Sequence, residues 1–159
     1  MSFDTALISY PHSPKLGRAP HGSPILVHAT ALQTGGAFGS WETFVPPGKG
    51  PTEHTHSREI EIFRVIAGTF RFTCGDQTFD APIGSVVTLP PHVPHAWVNI
   101  GDTMGQVLGM VTPGGLEQLF LEIARLGDPT MQQVAMIERS LGIDNAETRL
   151  LPPLTSGTQ

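Results

Sequence analysis

One cysteine, Cys74, occurs in 159 residues, which excludes an internal disulfide framework. Charge is also scarce. Charged residues make up 14% of the chain, and nine Lys and Arg against fourteen Asp and Glu leave a net charge of −5. The few cations are scattered, so there is no electrostatic footprint for nucleic acid and none is expected as a partner. No apolar run is long enough to span a bilayer, so no membrane partner is expected. The opening MSFDTALISYPHSP lacks a basic segment followed by an apolar run. It does not read as a secretory signal, and the cytoplasm is the expected location.

What is present is breakers and apolar residues: 18 Gly, 15 Pro and 39% hydrophobic content. The apolar share argues against disorder, and the density of Gly and Pro argues against long helices. A single all-β body of short strands is expected, of a size that can bury a full core. Residues 1–23 are rich in Pro, Ser, Gly and His and read as an N-terminal arm. Residues 24–112 carry strand patterns, among them PILVHAT, SWETFV and EIEIFRVI. In the last of these, Glu59, Glu61, Phe63 and Val65 share one face and Ile60, Ile62, Arg64 and Ile66 the other, so burial on both sides is expected. From Pro113 the period changes. Leu116, Leu119, Phe120 and Ile123 mark one amphipathic helix, and Val134, Ile137 and Leu141 a second. Asp128-Pro129 reads as the second helix's cap and first position. These helices, over 113–143, are expected to pack on the barrel, with 144–159 a loosely held tail.

Chemistry concentrates between Gly48 and Gly68. His54 and His56 are one residue apart, which on a strand places both imidazoles on one face. Glu61 lies beyond them on the apolar strand, where a carboxylate is costly without a partner. His95 lies downstream in PPHVPHAWVN. Three imidazoles and a carboxylate suit one divalent transition metal ion: Fe, Mn, Ni, Cu or Zn. Glu59 is a rival to Glu61 as the acidic ligand. His12, His21 and His28 are isolated and read as surface or structural histidines. Cys74, beside the Gly75-Asp76 turn, reads as a small filler. By alternation Trp41, Phe63, Phe72, Trp97, Leu108 and Met110 are the candidate pocket lining, which points to a small, largely apolar or aromatic substrate with a chelating oxygen pair.

At these residues the chain resembles the cupins. The first cupin motif runs Gly, five residues, His-x-His, three or four residues, Glu, six residues, Gly, and is met by Gly48, His54, His56, Glu61 and Gly68. The second runs Gly, five residues, Pro-x-Gly, two residues, His, three residues, Asn, and is met by Gly84, Pro90, His95 and Asn99. His92 stands where the motif has Gly, so an unusual backbone angle is expected there. The motif spacing prefers Glu61 over Glu59. The resemblance implies a jelly-roll β-barrel, often dimeric, with a metal near its centre. TPGGLEQLF and the helical pattern after it are similar to single-domain cupins of the bacterial quercetin-dioxygenase-like type.

The functional expectation, which rests mainly on this resemblance, is a metal-dependent oxidoreductase, dioxygenase-like, acting on a small aromatic or enolic substrate chelated at the metal, with Glu61 as a candidate base. The alternatives are a non-redox isomerase, lyase or decarboxylase using the metal as a Lewis acid, or a small-ligand sensor without turnover. Ile60, Ile62 and Ile66 on one face, with the apolar arm, make a homodimer the expected assembly.

Overall fold

The computed structural model describes residues 3–12 and 15–152. Two antiparallel sheets face each other. The first is built from β1 (Lys15–Arg18), β2 (Pro24–Ala29), β3 (Gly39–Val45), β5 (Ile60–Ala67), β8 (Val86–Leu89) and β10 (Gly105–Thr112), in the order β1-β2-β3-β10-β5-β8. The second is built from β4 (His54–His56), β6 (Phe70–Cys74), β7 (Gln77–Ala81), β9 (His95–Asn99) and β11 (Ile143–Asn145), in the order β11-β4-β9-β6-β7. Two helices, α1 (Glu117–Leu126) and α2 (Met131–Ser140), come after β10. This is the expected jelly-roll barrel with short C-terminal helices.

The core is the set of inward side chains from both sheets. Trp41, Val45, Phe63, Val65, Phe70, Phe72, Leu89, Trp97, Val107 and Val111 are all buried. The aromatic rings meet edge-on or tilted, with Trp97 5.6 Å from Phe63 and 5.5 Å from Phe70. These offset contacts suit the ring quadrupoles. Gly109 has a packing role: in the β3–β10 register it lies opposite Trp41, and a Cβ on it would stand 2.6 Å from the indole.

Several expectations need correction. Strand β5 is not buried on both faces. Phe63 and Val65 point into the core, but Ile60 and Ile66 on the other face are 38% and 37% exposed. Both faces are apolar in sequence, so alternation alone does not say which is the core. The segment read as an arm contributes an edge strand, because Lys15–Arg18 pairs with β2. Its inward residue is Gly17, against which Phe120 of α1 packs so closely that a Cβ would lie 2.9 Å from the Phe120 Cβ. A strand whose buried position is glycine leaves no hydrophobic trace. The segment read as a loose tail also contains a strand, since β11 pairs with β4. Arg139 fastens the chain beyond β11 by donating to the carbonyls of Thr148, Arg149 and Leu151. Residues 1, 2, 13, 14 and 153–159 of the expected arm and tail lie outside the described residues. The α2 cap sits two residues later than expected, at Thr130. Its hydroxyl accepts from the Gln133 N–H while the Gln133 side chain accepts from the Thr130 N–H, a reciprocal capping box.

Gly109→Ala is expected to lower stability by about 1–3 kcal/mol, the cost of overpacking a filled core. Equilibrium denaturation with urea checks it, and an unchanged midpoint would show that Trp41 yields freely.

Candidate metal centre

The two sheets contribute unequally to the polar cluster at the barrel's centre. Strand β4 supplies His54 and His56, with Thr55 turned the other way, and β9 supplies His95 directly opposite His54. Strand β5, from the other sheet, supplies Glu61, placed by the alternation that also buries Phe63 and Val65. One donor atom from each of His54, His56, Glu61 and His95 lies within 4.8 Å of the others, and all four residues are buried. Glu61 Oε2 lies 3.1 Å from His95 Nε2 and 3.5 Å from His56 Nε2.

The far ring nitrogens are also placed. His54 Nδ1 lies 2.8 Å from the Thr52 carbonyl and His95 Nδ1 2.8 Å from the Val93 carbonyl. A carbonyl can only accept, so each Nδ1 carries a proton, and with a metal bound each Nε2 is free to present a lone pair to the cluster. Glu59 is buried as well, but its Oε2 faces His56 Nδ1 at 3.8 Å, on the side of the ring away from Nε2. It therefore stands behind a candidate ligand and is not part of the four-residue set.

Burial shapes the protonation of these groups. It pushes His54 down from 6.5 to about 4, with the nearby Glu61 charge only partly offsetting it. For His56 burial also acts downward, but the Glu61 and Glu59 carboxylates outweigh it and the net shift is up. Burial acts to raise Glu61, yet the charge of His56 and the hydrogen bond from His95 hold it below the usual carboxylate range. The metal-free cluster thus keeps an ionised carboxylate beside one readily protonated imidazole.

The donor chemistry fits a divalent transition metal. Three imidazole nitrogens and one carboxylate oxygen converge, and His56 Nε2 is buried with no hydrogen-bond partner among the described residues. A buried polar atom left without a partner, aimed into a cluster of metal-ligating side chains, calls for a ligand.

Above the cluster opens a cavity of about 320 Å³. His54, His56 and Glu61 lie in its wall with Trp41, Phe63 and Trp97. Of the remaining expected lining, Phe72 is fully buried behind Phe63 and Trp97. Leu108 and Met110 point out of the opposite face of the sheet, where they line a shallow outer groove with Ile62 and Arg64. The inward positions of β10 are Gly105, Val107, Gly109 and Val111. Two inward glycines made the outward Leu and Met look like the stronger face. Sequence reasoning missed the rest of the wall. Leu119 and Phe120 of α1, Val134 of α2 and Ile143 of β11 close one side, and His21 and Lys49 also face the space. The helical stripes were legible, but not what they cover. His21 carried no signal, since a loop places it.

The motif positions outside the ligand set shape the loops. Gly68 has φ 84°, and a Cβ on it would stand 3.0 Å from Gly105 Cα. Asn99 is buried; its amide donates to the Val45 and Thr103 carbonyls and its oxygen accepts from the Gly101 N–H. His92 has φ 64°, as the missing motif glycine led one to expect, and its side chain is exposed. Its N–H donates to the His56 carbonyl at 2.8 Å, which ties this turn to the His-x-His strand.

Comparison with known proteins agrees with this geometry. The family described as Cupin domain (Cupin_2) matches residues 41–111. The barrel is a cupin domain. A curated uncharacterised protein of Methanocaldococcus jannaschii is 30% identical over 67 residues, 42% of this chain and 54% of that protein. The chain thus spans about half the length of the curated relative it matches. Among solved structures, KdgF from Halomonas sp. superposes with TM-score 0.63 at 18% identity, covering 72% of this chain and 99% of KdgF. An RmlC-like cupin from Shewanella frigidimarina gives 0.61 at 17% identity, over 72% of this chain and 96% of that one. A predicted oxalate decarboxylase from Thermotoga maritima gives 0.60 at 16% identity, over 69% and 99%. At these identities the likeness speaks for the fold.

Two outcomes are expected for this cupin. His92→Gly removes the penalty of a left-handed backbone at a residue bearing a Cβ. It is expected to stabilise the protein by about 1 kcal/mol, read as a higher melting temperature, and a lower one would refute the strain. In the metal-free protein, His54 binds its proton in the unfolded chain near 6.5 but in the folded chain only near 4. Between these values the unfolded state binds more protons, so stability falls as pH drops from 6.5 to about 4, by on the order of 3 kcal/mol. His54→Asn is expected to flatten this slope in denaturation curves recorded across the range.

Proposed function

We propose that this cupin is a metal-dependent oxidoreductase of the dioxygenase type, acting on a small aromatic or enolic molecule that chelates through its oxygens. The observation that carries the reading is the convergence of His54, His56, Glu61 and His95, three of which, His54, His56 and Glu61, lie in the wall of a cavity sided by Trp41, Phe63, Trp97, Leu119 and Phe120. Those four residues would hold one divalent ion, as Fe, Mn, Ni, Cu or Zn. When bound, it supplies Lewis acidity and, if redox-active, a place for dioxygen chemistry.

The chain's own residues do the remaining work. The aromatic wall takes a flat apolar substrate and excludes water, which strengthens electrostatic interactions inside. Glu61 lies in the cavity wall and is ionised, so it can accept a proton from an approaching substrate hydroxyl. The resemblance of the C-terminal segment to quercetin-dioxygenase-like cupins supports the same class.

A homodimer through the outer face of the six-stranded sheet is part of this proposal. Leu16, Ile60, Ile66 and Val86 are exposed there on β1, β5 and β8. Among the described residues no helix is long and apolar enough to cross a membrane.

Elemental analysis of the purified protein tests the centre. One equivalent of metal is expected, with a loss of affinity of at least about a hundredfold in His56→Ala, because even outer residues of a metal site cost 10–100-fold. Oxygen electrode measurements with flavonols, catechols and diketones then test the reaction. Turnover without oxygen uptake would make the protein a Lewis-acid isomerase, lyase or decarboxylase. Tight binding without turnover would make it a sensor, and absence of metal in wild type after reconstitution would end the enzyme reading.

A further inference from the structure

The polar atoms that the barrel leaves unsatisfied point to one more residue. Among the described residues, three buried side-chain nitrogen or oxygen atoms have no hydrogen-bond partner: His56 Nδ1, His56 Nε2 and Glu59 Oε2. The second is accounted for by the proposed metal. The other two face each other at 3.8 Å, so that a small turn of the ring or carboxylate closes a hydrogen bond between them.

We propose that Glu59 is a positioning residue for the metal centre, holding the proton of His56 on Nδ1 so that Nε2 is left as a donor into the cluster. The inference rests on the metal reading above. His54 and His95 have the same need met by the Thr52 and Val93 carbonyls. Among the described residues His56 meets no such carbonyl, and the acceptor facing its Nδ1 is the Glu59 carboxylate. Imidazole ligands generally give their second nitrogen to an acceptor that fixes ring orientation and raises basicity.

The setting of Glu59 fits this role better than a purely structural one. It precedes Glu61 by two residues, so alternation turns both carboxylates inward. Glu59 is 2% exposed. Its Oε1 is held at 2.7 Å by Arg58, whose own side chain is 56% exposed. Only half of the buried carboxylate is thus satisfied within the fold, and a core that merely needed filling would be better served by an apolar residue. Charge counts the same way. A divalent cation with Glu61 as its only anionic ligand leaves one positive charge in an apolar interior, and a second carboxylate behind His56 balances it.

The test uses the whole 159-residue chain with Co(II) as probe. Wild type, Glu59→Gln, Glu59→Leu and His56→Ala are titrated against a competing chelator, and the metal-free forms are melted. If Glu59 positions His56, Glu59→Leu raises the Co(II) dissociation constant roughly ten- to a hundredfold. Its metal-free melting temperature stays level or rises, because a half-paired buried carboxylate is gone. Glu59→Gln, whose amide oxygen still accepts the hydrogen bond without the charge, falls between the two. In the zinc-loaded proteins, nitrogen-15 NMR of the imidazoles shows a protected His56 Nδ1–H in wild type that is lost in Glu59→Leu. Should both Glu59 variants bind Co(II) as wild type does while His56→Ala does not, Glu59 has no positioning role and the metal reading survives. Should wild type and His56→Ala bind alike, the metal reading fails and this inference fails with it.

Discussion

The interior of this barrel must carry three imidazoles and a carboxylate that water would otherwise solvate, and much of the architecture answers that constraint. Each group leaves water at a cost of several kcal/mol unless a partner replaces it. The fold supplies partners at fixed positions. Carbonyls two residues upstream take the Nδ1 protons of His54 and His95, and Glu61 from the opposite sheet comes within 3.1 Å of His95 Nε2. Because the donors come from β4 and β9 on one side and β5 on the other, the cluster exists only if the two sheets keep their spacing. The aromatic stack of Trp41, Phe63, Phe72 and Trp97 sets that spacing directly beside it.

Strand β4 is three residues long and would be a poor platform alone. It is held on both edges. His95 pairs with His54 across one edge, and β11 pairs with all of β4 across the other. The Ser57 N–H donates to the Gly142 carbonyl and the His92 N–H to the His56 carbonyl, so the residues leaving β4 are fixed too. The C-terminal segment after the helices is therefore part of the site's support. It also gives the cavity its wall, since Ile143, Asn145 and Thr148 face the same space as the ligands. Glu138, buried in α2, accepts from Thr148 and Asn145, which locks helix and tail together. Burial raises its pKa against those hydrogen bonds, so acid is the condition the latch tolerates best.

The legible and the hidden parts of this fold divide along one physical line. The four-residue cluster was legible because spacing on a strand is geometry: His-x-His must share a face, and Glu61 must share a face with Phe63. The hairpin at Gly75-Asp76 and both helices were legible because turn residues and a helical apolar period are local. The failures were non-local. Leu108 and Met110 look inward until one knows that Gly109 receives Trp41 from the neighbouring strand. Ile60 and Ile66 look buried until one knows that the described chain leaves the outer face of β5 partly open. Strands β1 and β11 are stabilised by their neighbours β2 and β4, and their own residues, KLGR and IDN, carry almost no strand signal.

The protonation pattern explains how a cluster able to hold a cation can fold without one. Burial strips His54 of its proton well into the acid range, whereas the flanking carboxylates let His56 keep one. Without a metal, Glu61 thus lies beside an imidazole whose hold on a proton its carboxylate neighbours strengthen. A divalent ion taking the four-residue site would displace that proton, since an imidazole ligand must be neutral. Occupancy and pH are then linked through the one histidine that has carboxylates on both sides, and Glu59, lying behind the ring rather than at the centre, determines which nitrogen gives the proton up.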